Sequence, residues 1–235
     1  MRGLFVVDLG RRSYGDALDL QRQVARARIV GDVDQDVLLF VEHPPVITLG
    51  RSSKAAHMLA TPEHLRRQGV ELFEVERGGD VTFHGPGQLV GYPIVRVNDV
   101  VAYVRLLEQA LVQALSDEGI RGRARPEEGP DFTGVWVEDR KIASIGVHVA
   151  RGVTTHGFAV NVENDLQPFG WVVPCGLEGV QMTSLIKETG RLAGQLKCFR
   201  RRAAFCVSEA LGRRQRLVSL SRLEAAVSPP AATPV

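Results

Sequence analysis

The chain has 235 residues, the length of one large α/β domain. Its 44% hydrophobic and 24% charged residues form an ordinary globular balance that excludes a disulfide mini-protein, a collagen-like chain or a wholly disordered one. The net charge of +2 hides an asymmetry: Arg191 to Arg222 holds nine cations against Glu209 alone, a segment of +8 that leaves −6 for the rest.

In chain order, Gly3 to Leu9 is β-rich, and Ala17 to Val30 carries apolar residues at helical spacing. Val37 to Val41 is a short apolar run stopped by His43-Pro44-Pro45, and Val46 to Leu49 ends at Gly50, which gives two more strands. A helix is predicted over Pro62 to Gln68, with Thr61 as N-cap and Pro62 first, followed by an alternating strand from Glu71 to Glu76. Leu89 to Val97 resumes the β character after a glycine-rich loop. Val100 to Leu115 is the clearest helix, capped by Asn98 or Asp99 and stopped at Gly119. Beyond the turn-rich Gly122 to Pro130, three pieces read as an antiparallel meander: Gly134 to Glu138, Lys141 to Val149 and Val153 to Val162. A helix near Leu196 to Leu211 and a short one from Leu220 to Ala226 close the body, and Ser228 to Val235 is too rich in Pro and Ala to order itself. The expectation is one α/β (α+β) domain over 1–217, with 218–235 a short helix and a disordered tail.

No apolar run approaches the roughly 20 residues of a membrane span, and Met1 to Asp8 reaches an aspartate too soon for a signal segment. Cys175, Cys198 and Cys206 are an odd number in no metal-binding spacing, so free thiols and a cytoplasmic setting are expected. The basic segment reads first as the solvated face of an amphipathic helix and second as a docking face for an acidic macromolecule.

Three places hold residues suited to chemistry. Arg77-Gly78-Gly79-Asp80-Val81-Thr82-Phe83-His84-Gly85-Pro86-Gly87-Gln88 is longer and richer in glycine than a turn needs. No Gly-Lys-Ser/Thr follows it and no helix opens after it, which disfavours a nucleotide phosphate cradle. Lys141 starts an apolar strand, and by strand alternation it shares a face with Ala143, Ile145 and Val147, an arrangement that invites burial and use as a base. Cys175 stands between Pro174 and Gly176, in a turn able to present a thiol and free N–H groups together, whereas Cys198 and Cys206 lie among helical apolar residues and read as packing. A thiol becomes a nucleophile beside a cation, so Cys175 with Lys141 suits acyl transfer, with His84, His148 and His156 as competing bases.

The segment Arg77 to Tyr92 resembles the signature of the LipB family of octanoyltransferases of lipoate biosynthesis. So do Arg140-Lys141-Ile142-Ala143-Ser144-Ile145-Gly146, Thr155-His156-Gly157-Phe158-Ala159-Val160-Asn161 and Pro174-Cys175-Gly176. The resemblance implies a biotin/lipoate protein ligase-like fold with a mixed sheet and flanking helices. It also implies an acyltransferase that moves octanoyl from octanoyl-acyl carrier protein, through a thioester on Cys175, to a lysine of lipoyl domains. The acceptors implied are the E2 subunits of 2-oxoacid dehydrogenases and the glycine cleavage H protein. Lys141 is then the partner of Cys175 and takes a proton from the incoming amine. Substrate contacts fall on Arg77, Gly78, Gly79, Asp80, Val81, Thr82, Phe83 and His84, on Ser144, Ile145 and Gly146, and on Gly157, Phe158 and Ala159. Glycines 78, 79, 146 and 157 are expected to leave room for a linear chain. No cofactor, metal, ATP, nucleic acid or membrane is implied, and the basic segment gains acidic carrier and lipoyl domains as candidate partners. The rivals are an ATP-dependent lipoate or biotin ligase, a cysteine hydrolase, and a non-catalytic binder on the same fold.

Overall fold

Apolar runs that are buried on both faces need cover on both faces, and the chain supplies it with helices on each side of one large sheet. The computed structural model describes residues 3–177 and 179–227. Strand β1 (Gly3–Arg11) leads to helix α1 (Tyr14–Val30) and strand β2 (Asp36–Glu42). Then come β3 (Val46–Leu49), α2 (Pro62–Arg67), β4 (Glu71–Glu74), β5 (Val81–His84), β6 (Gln88–Ile94) and α3 (Val100–Ser116). The meander follows as β7 (Gly134–Val137), β8 (Arg140–Ala150) and β9 (Val153–Asn161). The chain then forms β10 (Gln181–Met182), α4 (Leu185–Thr189), α5 (Leu196–Ala210), β11 (Arg214–Leu217) and α6 (Leu220–Val227).

The large mixed sheet has the order β10-β8-β9-β6-β2-β1-β11, with β7 also pairing β8, and β4-β3-β5 make a separate small sheet. In β2, Val37, Leu39 and Val41 face the core shared with α1 and α6, while Leu38 and Phe40 face the core under α3 and α5. That alternation explains why the run reads as uniformly apolar. Thr61 Oγ1 accepts the His64 N–H at 3.2 Å and Asp99 Oδ1 accepts the Ala102 N–H at 3.0 Å, so the caps of α2 and α3 lie where the sequence puts them. Helix α1 begins earlier than expected because Ser13 Oγ accepts the Asp16 N–H at 3.1 Å.

Four elements differ from the reading above. Strand β5 lies inside the supposed glycine-rich loop, and β10, α4 and β11 were not foreseen. The final helix is not an appendage: Leu223 of α6 is fully buried against the core that holds α1, and β11 pairs with β1. The expected tail over Ser228 to Val235 lies outside the described residues. The basic segment finds carboxylates within the chain. Arg200 pairs with Asp8 at 2.6 Å, Arg202 with Asp117 at 3.2 Å, Arg213 with Asp36 at 2.7 Å, and Arg191 with Glu118. These pairs make much of the segment a brace between α5 and the rest of the body. Among the described residues no helix is long and apolar enough to cross a membrane.

Candidate active site

Where β7 pairs β8, Val135 faces Ala143 but Trp136 faces Lys141, so β8 carries one extra residue at Ile142. This bulge breaks the alternation on which Lys141 was placed. Ile142, Ala143 and Ile145, with Val147 packed against them, join the core under α3 and α5. Lys141 therefore does not share their environment: it is wholly buried, and its Nζ lies 2.8 Å from Cys175 Sγ and 5.0 Å from the centre of the Trp136 ring. Gly134 makes room for the lysine stem, since a Cβ there would stand 2.9 Å from Lys141 Cε. The Gly134 N–H in turn donates to the buried Glu108 carboxylate of α3 at 2.9 Å.

Cys175 sits in a single turn, Pro174–Gly176, with φ 59° and ψ 15°. A non-glycine residue in the left-handed region costs on the order of 1–3 kcal/mol and persists only where its surroundings enforce it. Here the enforcement is a ladder from the preceding loop. The Leu59 N–H donates to Trp171 O at 2.9 Å, and the Val173 N–H to His57 O at 2.8 Å. Half-buried, Cys175 faces a cavity. Cys206 is buried in α5 as expected, but Cys198 is exposed rather than packed.

The cavity, of about 50 Å³, lies between the sheet face of β6, β8 and β9 and the segment 77–84. Of the substrate contacts implied by the resemblance, all but Gly78 and Phe83 line it; Phe83 turns into a separate core, with its ring 5.6 Å from that of Phe169. Tyr14, Val90 and Tyr92 complete the wall and were not foreseen as contacts, and His156, one of the competing bases, lines it too. Arg77 is a brace within the lining: its Nη2 donates to Thr48 O at 2.8 Å, tying the segment to β3, and burial lowers its pKa below the usual arginine range.

Glycine works differently here than the sequence suggested. A Cβ on Gly146 would lie 2.7 Å from Gly78 O, and one on Gly157 would lie 2.2 Å from Gly91 O. The space freed at Gly146 is taken by the 77–79 segment, which closes over the sheet, and that at Gly157 by the neighbouring strand β6; neither is left for a ligand.

The imidazoles fall into distinct settings. His43 Nδ1 donates to Arg12 O at 2.8 Å while its Nε2 accepts from Tyr92 OH at 2.8 Å, and His84 Nδ1 donates to Gln88 Oε1 at 2.7 Å. His156 Nδ1 lies 3.4 Å from Tyr14 OH. Desolvation is the first cause that pushes these three down, His43 to about 4, His84 to about 3 and His156 to about 4. His148 lies on β8 seven residues beyond Lys141, roughly 23 Å along an extended strand, and does not line the cavity.

The residue that sequence reasoning missed is His57. Its Nδ1 is hydrogen-bonded to Asp80 Oδ2, while Asp80 Oδ1 accepts the Val81 N–H at 2.7 Å. A Cβ on Gly176 would lie 2.8 Å from both Asp80 Oδ2 and His57 Cε1, so the pair abuts the turn that carries the thiol. No motif marks His57; the one sequence signal was the acid at position 80.

The three neutral imidazoles have a consequence for stability. The unfolded chain takes up protons on them near the ordinary value of 6.5, while the folded chain refuses them until about pH 4 at His43 and His156 and about pH 3 at His84. Their contribution is therefore complete above about pH 6.5 and is lost as pH falls toward 4. The urea midpoint at pH 5 should lie clearly below that at pH 7; equal midpoints would contradict the neutral assignment.

The model of the lipoyl protein ligase A/B catalytic domain matches residues 13–197. An octanoyltransferase of Solibacter usitatus is 52% identical over 182 residues, covering 75% of this chain and 80% of the relative. One of Rubrobacter xylanophilus is 47% identical over 186 residues, covering 77% and 82%. Among solved structures, a bipartite lipoate protein ligase of Thermoplasma acidophilum superposes with TM-score 0.75 at 17% identity, covering 97% of this chain and 91% of that one. A lipoate-protein ligase A bound with ATP superposes with TM-score 0.73 at 17% identity, covering 97% and 92%. These two likenesses show the fold: lipoate-ligase-like, a mixed sheet with flanking helices in one α+β domain.

Proposed function

Because the chain belongs to the lipoyl protein ligase A/B catalytic-domain family and is 52% identical to an octanoyltransferase over 182 residues, we propose that its octanoyl transfer runs through an acyl-thioester on Cys175. The chain is an octanoyltransferase of lipoate biosynthesis. The donor in this reading is octanoyl-acyl carrier protein and the acceptor a lysine of a lipoyl domain, including those of 2-oxoacid dehydrogenase E2 subunits and the glycine cleavage H protein, all in the cytoplasm. The observation that supports it most is Lys141 Nζ at 2.8 Å from Cys175 Sγ, on a turn held in the left-handed region and facing the cavity.

A buried ammonium needs a counter-ion, and the thiolate supplies one. The thiolate attacks the octanoyl carbonyl, forming a new C–S bond as the C–S bond to the carrier breaks. The departing carrier sulfur takes a proton from Lys141 and leaves as a thiol, with Lys141 left as the neutral amine. One thioester replaces another, so the acyl group stays activated and no nucleotide is consumed. Apolar wall from Val90, Ile145 and Phe158 suits a saturated chain.

Incubation of the protein with octanoyl-acyl carrier protein and a lipoyl domain, without ATP, should yield octanoylated acceptor. Modification that begins only with free octanoate and ATP would make it a ligase, and release of free octanoate without acceptor would make it a hydrolase.

A further inference from the structure

The acceptor lysine arrives as an ammonium, because an ordinary lysine is protonated near neutrality. Forming an amide from it removes two protons. One has an established destination in the reading above: Lys141, left neutral by the first half-reaction, takes it as the tetrahedral adduct collapses, and Cys175 returns as the thiolate. The other must leave before the nitrogen can attack, and Lys141 has no capacity for it. A second base beside the thioester, with a path to water, would let the lysine bind as the ammonium and still react.

We infer that His57, oriented by Asp80, is that base and deprotonates the incoming ammonium in the second half-reaction. Asp80 holds the Nδ1–H, which fixes the tautomer with the lone pair on Nε2. The ring lies against Gly176, the residue after the nucleophile, and its side chain is 18% exposed, so a proton taken there passes to solvent. Asp80 is its side-chain partner, and its backbone N–H donates to Lys54 O while its carbonyl accepts from Val173 N–H, two residues before Cys175.

The other five histidines of the chain do not meet these needs. His43, His84 and His156 are buried, and burial leaves them too weakly basic. His148 lies at the far end of β8, and His64 sits on α2 with its ring 5.4 Å from that of Trp171.

The proton movements balance. His57 Nε2 takes one proton from the ammonium and becomes an imidazolium paired with Asp80. The free amine then forms the C–N bond, Lys141 takes the second proton, the C–S bond to Cys175 breaks, and His57 releases its proton to water. The net release is one proton, one carrier thiol and one amide per turnover.

The inference rests on the Cys175 acyl-enzyme, and a two-stage experiment keeps the two apart. Wild type and His57→Gln are each loaded from octanoyl-acyl carrier protein, freed of donor, and mixed in a single turnover with a lipoyl domain or with hydroxylamine, an amine already unprotonated at neutral pH. His57→Gln should load within about threefold of wild type and pass octanoyl to the lipoyl domain roughly 10²–10³-fold more slowly, the range for loss of a general base. It should release octanoyl hydroxamate at the wild-type rate. Asp80→Asn should slow lysine aminolysis more than hydroxylamine release, with a smaller loss than His57→Gln. Lysine aminolysis at the wild-type rate in His57→Gln would overturn the inference, as would an equal slowing of loading, aminolysis and hydroxylamine release, which would make His57 only a support for the turn. Failure of the wild type to load would remove the Cys175 reading itself, and the inference with it.

Discussion

Cys175→Ser loses octanoyl transfer by at least about 10³-fold while the protein keeps its fold. The loss follows from ionisation: a serine hydroxyl beside Lys141 stays protonated where a thiol gives up its proton, and removal of a nucleophile from a catalytic unit costs orders of magnitude in rate. The fold should persist because the side chains are nearly isosteric. The left-handed turn is held from outside by the hydrogen bond from Val173 N–H to His57 O and by the ladder to Trp171. A change in stability within about 0.5 kcal/mol is expected on denaturant titration. Near-normal turnover in this variant would refute the acyl-enzyme.

Lys141→Met removes the cation and keeps the volume. Loading of Cys175 from the octanoyl thioester should slow by about 10²–10³-fold, and iodoacetamide should capture the thiol several-fold more slowly at neutral pH. Stability should hold or rise, because the substitution exchanges a fully buried ammonium, whose partners are one sulfur and the face of Trp136, for an apolar side chain. An unchanged alkylation rate would show that the two residues do not influence each other in solution.

What the sequence could reveal was set by the range of the interactions involved. Strand β2 and helices α2 and α3 were legible because their signals are local: an apolar run, a cap, a proline at the first position. Strand β11 was not, since Arg214-Gln215-Arg216-Leu217 is exposed throughout and joins the sheet only through its backbone pairing with β1. Lys141 was singled out on a faulty premise. Strict alternation groups it with Ala143 and Ile145, whereas the bulge at Ile142 separates it from them and turns it toward Cys175. The thiol was legible from its flanking proline and glycine; the angle that presents it depends on a loop more than 110 residues earlier in the chain. His57 shows the limit most plainly, because its meaning comes from Asp80 and Gly176, neither of them near it in sequence. The basic segment, read first as a solvated face, also pairs in part with carboxylates on other elements, which its local pattern could not show.

Resemblance and geometry contribute different things to the account. The family relation establishes octanoyl transfer, and the contacts name the atoms on which the proposed acyl-enzyme rests. A single strained turn, one buried lysine and a segment of glycines closed against the sheet suffice to bring a thiol, a cation and a narrow apolar cleft together.

The most direct measurement is the intact mass of the purified protein after mixing with octanoyl-acyl carrier protein, without ATP and without acceptor, followed by peptide mapping. The account predicts one octanoyl group per chain, labile to hydroxylamine and confined to the peptide that holds Cys175. An unmodified protein that nonetheless transfers octanoyl to a lipoyl domain, or an adduct on any other residue, would contradict it.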